Sequence, residues 1–531
     1  MIDIKSYFFR KFKRYIYLQV ILLSILSLIS SAASIFFAIY SRFAIDYAIA
    51  QNLELFWRYA GILMLIIGSQ IVVAALNHFL SNLFASKLYL RLSQDVFHQL
   101  LHSSYESVKQ YHSEDITNHF KTDLKSISDR TIRLFPSLIF NIGRFSGAFV
   151  VLFFIDYTFA LLFLGLGTLL LIGSRLLQNP LKKVNNDLLD ATFDKETHIN
   201  ETFVHLDIIK TYDSKISSDH FDTKSLNVYK KTLRKEKYYV LTQFGITLFY
   251  GFGFVFAIIF GAYRVATGVI SIGELTSIVQ LVQNIQNPFR GFSGILGNFV
   301  ELRTALARMT PLIELEKDDE PINLSNFDLI EIKDLSFAYE DDQDVLSNIN
   351  LSINKQDIIH IDAASGKGKT TLFRLLLGLY KTDAIDVVYQ EKHYPYYQVN
   401  KSLISYVPQA SFLLKGTILD NLTLGIKYPN EKIINACIKA HIYDDIMTYP
   451  NGFYQELGEG GKGLSLGQSQ RIAIARAILK DAPILILDEI GASLDANTEK
   501  IIYTNLLKLN KTLLVASHKP LDIPYTKYLT L

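Results

Sequence analysis

Apolar residues occupy the first part of the chain in long uncharged stretches and, from about residue 329 onward, in short alternating or four-residue runs. Residues 15–41 carry no charge over 27 positions, more than the ~20 that a helix needs to cross a bilayer. The same low-charge criterion predicts further spans near residues 59–76, 138–155, 157–174, 239–263 and 275–300, six in all. The connections at about 77–132 and 175–238 keep helical spacing well past these spans, as in Leu88, Leu92 and Val96, so the helices are expected to continue beyond the bilayer. Each would turn back through a short segment, near 105–113 and 202–212, able to touch a domain outside the membrane.

Composition agrees with a membrane part. Half of the residues are hydrophobic, while the net charge is only +2, which gives no overall basic field for nucleic acid. The connection 175–238 holds twelve Lys and Arg, against Arg42, Arg58 and Arg264 in the opposite loops. The positive-inside rule therefore places the N-terminus, both long connections and the C-terminal half in the cytoplasm of a multi-pass protein of the cell membrane. Lys5, Arg10, Lys11, Lys13 and Arg14 precede an apolar run far longer than a signal-peptide core, so that segment is expected to be retained. The single cysteine, Cys437, excludes an internal disulfide framework and reads as a small buried residue.

The last span is the least lipid-like. Gln280, Gln283, Asn284, Gln286, Asn287 and Arg290 are expected to face a cavity or a partner helix rather than hydrocarbon, and Pro288, Gly291, Gly294 and Gly297 add bends and close approaches. Arg144, within the third span, reads either as a substrate contact or as a structural pair or interface residue.

The helical pattern ends in a charged stretch at 314–320, and an alternation beginning at Leu329 opens a soluble α/β unit. Its first landmark is a strand at 358–361 leading into Ser365, Gly366, Lys367, Gly368, Lys369, Thr370 and Thr371, then an apolar helix. Strand, glycine loop and helix aim backbone N–H groups and a positive helix end at phosphates, with Lys369 reaching the terminal phosphates and Thr370 a magnesium ion. Ala363 stands where the phosphate-loop pattern has its first glycine. The second landmark is Asp488 and Glu489, closing the apolar run 484–487 as a buried parallel strand would. Asp488 can hold magnesium through water, and Glu489 can polarise an attacking water. Taken singly, the loop also fits a chance glycine–lysine turn, and the acids also fit an ordinary strand end.

With Leu464, Ser465, Leu466, Gly467 and Gln468 added, the chain resembles an ATP-binding-cassette exporter half-transporter: six spans followed by one nucleotide-binding domain. These five residues are similar to the family signature Leu-Ser-Gly-Gly-Gln, with Leu466 at its first glycine. The resemblance implies that Ser465, Gly467 and Gln468 serve nucleotide held by a second subunit. It further implies that Tyr339 stacks on adenine, Gln409 senses magnesium, Asp495 faces the dimer partner and His518 contacts the terminal phosphate. Glu456–Glu459 resembles the loop that reads the cytoplasmic turns. Gly491 and Ala492 differ from the family's usual residues, and only thirteen residues follow His518.

The expected architecture is an α-helical membrane domain at 1–310, a linker at 311–325 and an α/β P-loop nucleotide-binding domain at 326–531. The expected activity is ATP- and magnesium-dependent export of a hydrophobic or amphipathic substrate such as a peptide, lipid or drug-like molecule. It would proceed by alternating access in a homodimer, with one subunit of a heterodimer, an ATP-gated channel or a sensor as alternatives. A soluble chromosome-maintenance or DNA-repair ATPase shares the signature but not the six spans. No N-terminal Cys/His pair precedes the first span, so leader-peptide cleavage by this chain is not expected.

Overall fold

The structure, a computed structural model, describes residues 7–212, 214–339, 344–362, 366–399, 401–517 and 523–531. The chain separates into two compact units. The first comprises residues 1–101 and His112–Glu314, and the second His102–Tyr111 and Leu315–Leu531.

Six long helices build the first unit: α1 (Tyr7–Ile49), α2 (Leu53–Leu101), α3 (Leu124–Ile155), α4 (Tyr157–Val204), α5 (Ser214–Ala266) and α6 (Ile272–Ile313). The longest, α5, has 53 residues, roughly 80 Å at 1.5 Å per residue and far beyond a ~30 Å hydrocarbon core. Among the described residues, α1, α2, α5 and the segment containing α3 are long and apolar enough to cross a membrane. In α4 the apolar stretch of that kind is the shorter Tyr157–Thr168, and α6 carries the amides noted in the sequence. The strongest packing is α3 on α6, α1 on α2 and α3, and α4 on α5. Leu152, Phe159, Phe163, Ile278, Leu281 and Ile285 meet in a buried core, whereas Met64, Leu65, Ile71 and Phe154 stand out with 64–83% of their surface exposed. Apolar residues turned outward on this scale suit a lipid surround.

Ion pairs lock both ends of this unit. Asp156 caps α4 by accepting from the Thr158 N–H at 2.9 Å and pairs with Arg264 of α5. Arg42 pairs with Glu274 at 2.8 Å, and Asp46 accepts from Ser271 and the Gly273 N–H, both at 2.9 Å. Toward the other end, a π-helical turn at His119–Asp123 buries Asp123 between His119 and Arg308 of α6.

In the second unit an antiparallel sheet, in the order β2–β1–β4–β5, is made of β1 (Leu329–Phe337), β2 (Leu346–Asn354), β4 (Ile385–Tyr389) and β5 (Lys392–Pro395). A second sheet is wholly parallel, with β3 (Ile358–Asp362), β6 (Ile404–Val407), β7 (Ile484–Asp488), β8 (Thr512–Ala516) and β9 (Lys527–Thr530) in the order β9–β3–β8–β7–β6. Every residue of β7 and β8 is buried, which is why they read as unbroken apolar runs. Three helices matter for the site: α7 (Lys369–Leu376), α8 (Leu466–Lys480) and α9 (Ala496–Leu507). The detached segment His102–Tyr111 contributes the short helix Tyr105–Lys109, capped by Ser104. The Ser104 N–H donates to the Glu316 carbonyl at 2.7 Å, and the Tyr105 ring meets Tyr380 edge-on at 5.7 Å.

Candidate functional site

Strand register decides which side chains can meet. Ala516 of β8 pairs with both Ile361 of β3 and Asp488 of β7, and Leu487 pairs with Val407 of β6. The segments that leave these strands therefore emerge along one edge, at the carboxyl ends of a parallel sheet, where α/β folds place their ligands.

After β3, Gly366 and Gly368 take φ of 84° and 90°, values that favour glycine. A Cβ on Gly368 would also come within 2.6 Å of Leu346. The turn delivers Lys369, buried, as the first residue of α7, at the end where a helix leaves its first N–H groups unpaired. Lys369 forms an ion pair with Glu489, whose other carboxylate oxygen accepts from Gln409 at 2.5 Å. Glu489 is held in the left-handed region at φ 51°, with its N–H bonded to the Ala516 carbonyl at 3.1 Å. Lys369, Gln409, Asp488 and Glu489 thus come together at the edge.

Asp488 is 5% exposed. Burial holds its carboxyl above the usual range, opposed by a hydrogen bond from the Tyr406 hydroxyl at 3.2 Å and reinforced by Glu489. Tyr406 is itself raised by burial and by Asp488. The two threonines after Lys369 diverge. The Thr371 hydroxyl is engaged with the Tyr339 hydroxyl at 3.0 Å, while Thr370 is exposed. The Tyr339 ring stands edge-on to Phe337 and Tyr380 at 5.2 and 5.4 Å, and its oxygen accepts from Arg374 at 3.3 Å.

A second group gathers at the start of α8. Ser465 and Gln468 form a reciprocal capping box, each side chain accepting from the other's N–H at 3.1 and 3.0 Å. Gln468 also donates to Asp445 and accepts from Tyr449. Gly467 lies so close to the next turn that a Cβ would sit 2.9 Å from the Ser493 carbonyl. Leu466 is 67% exposed at this helix end. Asp495 caps α9 through the Thr498 N–H at 2.9 Å, a bond that holds its carboxyl below the usual range. Ser365 and His518 lie outside the described residues.

Two residues were not singled out in the sequence. Tyr406 touches Asp488, and Gln470, 1% exposed, accepts from Ser411 at 2.5 Å and donates to the Pro408 carbonyl at 3.3 Å, bracing the loop that carries Gln409. An amide on the buried face of α8 was the available signal for Gln470. For Tyr406, on a half-buried strand position, there was none.

The family model of the ABC transporter transmembrane region matches residues 20–289, and a second family model, ABC transporter, matches 346–492. The lactococcin-A transport/processing ATP-binding protein LcnC of Lactococcus lactis subsp. lactis is 36% identical over 273 residues, 49% of this chain and 37% of LcnC. The transport/processing ATP-binding protein ComA of Streptococcus pneumoniae (strain ATCC BAA-255 / R6) is 30% identical over 424 residues, 76% of this chain and 58% of ComA. The chain thus spans less than two thirds of these relatives. A bacterial Atm1-family ABC exporter solved with ATP bound shares the fold, with a TM-score of 0.80 at 19% identity over 95% of this chain and 91% of that one.

Proposed function

The chain belongs to the ABC transporters, with the transmembrane and ATP-binding regions fused in one polypeptide, and from that premise we propose that it uses ATP hydrolysis to export an amphipathic or hydrophobic substrate. The relatives' names speak of lactococcin transport and of transport/processing, which supports a peptide as the substrate class.

The observation that carries this reading is the convergence of Lys369 and Gln409 on the Glu489 carboxylate. Lys369 would take the terminal phosphates, freeing Glu489 to orient water and hold its proton. Tyr339 would stack on the base, and Gly366, Gly368 and Thr371 would complete the loop's backbone cradle with Ser365. His518 would meet the terminal phosphate. Among the described residues no group of three His, Cys, Asp or Glu side chains could hold an ion unaided. The oxygen donors Asp488, Thr370 and Gln409 suit magnesium sharing its shell with phosphates. Bound there, the ion would neutralise phosphate charge.

Ser465, Gly467, Gln468 and Asp495 would serve nucleotide held by a second copy, so the working unit is a dimer in the cell membrane with its N-terminus and nucleotide unit cytoplasmic. Glu489→Gln is the decisive test in protein reconstituted into lipid. Hydrolysis is expected to fall at least ~100-fold with ATP binding retained. Undiminished hydrolysis would remove Glu489 from the mechanism.

A further inference from the structure

Within the six stretches 15–41, 59–76, 138–155, 157–174, 239–263 and 275–300 the charged residues are Arg144 and Arg290, two cations and no acid. The acids at the helix ends are engaged: Asp46 and Glu274 with Arg42 and the 271–273 turn, and Asp156 with Arg264. The Arg290 side chain lies outside the described residues. Arg144 is half-buried where α1, α3 and α6 meet, eleven residues before the end of α3, roughly 16 Å along the helix and near mid-depth of the hydrocarbon. Its Nε donates to Asn284 Oδ1 at 2.7 Å, Asn284 in turn reaches the Ser34 carbonyl at 3.4 Å, and the guanidinium lies 5.8 Å from the Phe140 ring centre. These contacts fix the guanidinium plane, while no carboxylate among the described residues pairs with its terminal nitrogens.

Below Arg144 on the same face of α3, at helical spacing, stand Phe140, Ser137 and Arg133. They line a cavity of about 320 Å³ with Ser27 and Ser30 of α1 and Asn77 and His78 of α2. A space of that size takes a small ligand, and its lining offers hydroxyl, amide and imidazole groups beside the Leu23 and Phe140 side chains. A cation held rigid at mid-membrane without a counter-charge is costly unless something anionic visits it, and a guanidinium fork matches a planar carboxylate.

We propose that Arg144, oriented by Asn284 and Phe140, anchors the carboxylate of an amphipathic ligand whose body lies along the α1–α2–α3 cavity. This rests on the transport reading and names its substrate class. The test measures equilibrium binding, without nucleotide, of two probe pairs to the full chain in lipid nanodiscs. One pair is an acetylated Leu/Phe hexapeptide ending in a free carboxylate or a carboxamide, and the other is dodecanoate and dodecanamide. The wild type is expected to prefer the acid by roughly tenfold in at least one pair, the pair that responds telling peptide from fatty acid. Arg144→Gln is expected to abolish the preference and Arg144→Lys to keep part of it. No preference in either pair, or a preference that survives Arg144→Gln, overturns the proposal. Should Arg144→Gln lose the amide probe as well, as a misfolded variant would, Arg144→Lys decides: full loss of preference despite retained charge and amide binding counts against it. Because no nucleotide is present, failure of Glu489→Gln to stop hydrolysis bears on the transport reading and not on this site.

Discussion

Tyr406 is the residue whose role is simplest to isolate, because its hydroxyl donates to a carboxylate that burial has stripped of solvent. Hydrogen bonds to charged groups contribute about 1.5–3 kcal/mol. Tyr406→Phe is therefore expected to lower the hydrolysis rate roughly tenfold at saturating ATP, checked by steady-state ATPase assays, while the half-buried ring keeps its packing. Cys437 shows burial acting on a group with no catalytic part. It is fully buried, and desolvation pushes its thiol up to about 12. It is expected to resist iodoacetamide at pH 8 in the native protein and to react once denatured, read by mass spectrometry. That Cys437 would be buried followed from its neighbours, but that Tyr406 would face Asp488 depends on β6 lying beside β7, strands whose paired residues are 80 positions apart in sequence.

Among elements, the sheet and the long helices were the more legible part. Uncharged stretches longer than a bilayer crossing, and a strand, glycine loop and helix in succession, are local patterns that physical chemistry reads directly. What escaped was set by register and close approach. The alignment of Ile361, Ala516 and Asp488 puts the phosphate loop and the paired acids at one edge, and no single strand encodes it. The π-helical turn at His119–Asp123, which buries Asp123 against Arg308, likewise arises from an ion pair between distant helices. Gly167 is a third case. A Cβ there would lie 2.0 Å from the Phe289 ring, so α4 and α6 meet where a side chain is missing. Gly167→Val is expected to destabilise this contact by about 1–3 kcal/mol, seen as a lower melting temperature in detergent, and Phe289→Leu is expected to recover part of the loss, since touching sites do not add.

At the scale of the whole molecule the chain resolves into a helical unit and an α/β unit that borrows ten residues, His102–Tyr111, from within the helical sequence. Tyr105 in that segment meets Tyr380, which meets Tyr339, ring to ring at 5.7 and 5.4 Å. Tyr105→Ala is therefore expected to weaken ATP binding severalfold through Tyr339 and to reduce transport per ATP hydrolysed, measured by nucleotide binding and by the ratio of flux to phosphate release. A change confined to protein yield would deny Tyr105 that role. A domain annexing ten residues from so far upstream also has a history during synthesis. About two hundred residues, His112–Glu314, must be made between the borrowed segment and the rest of its unit, roughly 10 to 40 seconds at ~5–20 residues per second. Through that interval Tyr105 waits without its aromatic partner, so the α/β unit is completed only after the helices α3 to α6 have been synthesised, and the order of translation becomes an order of assembly.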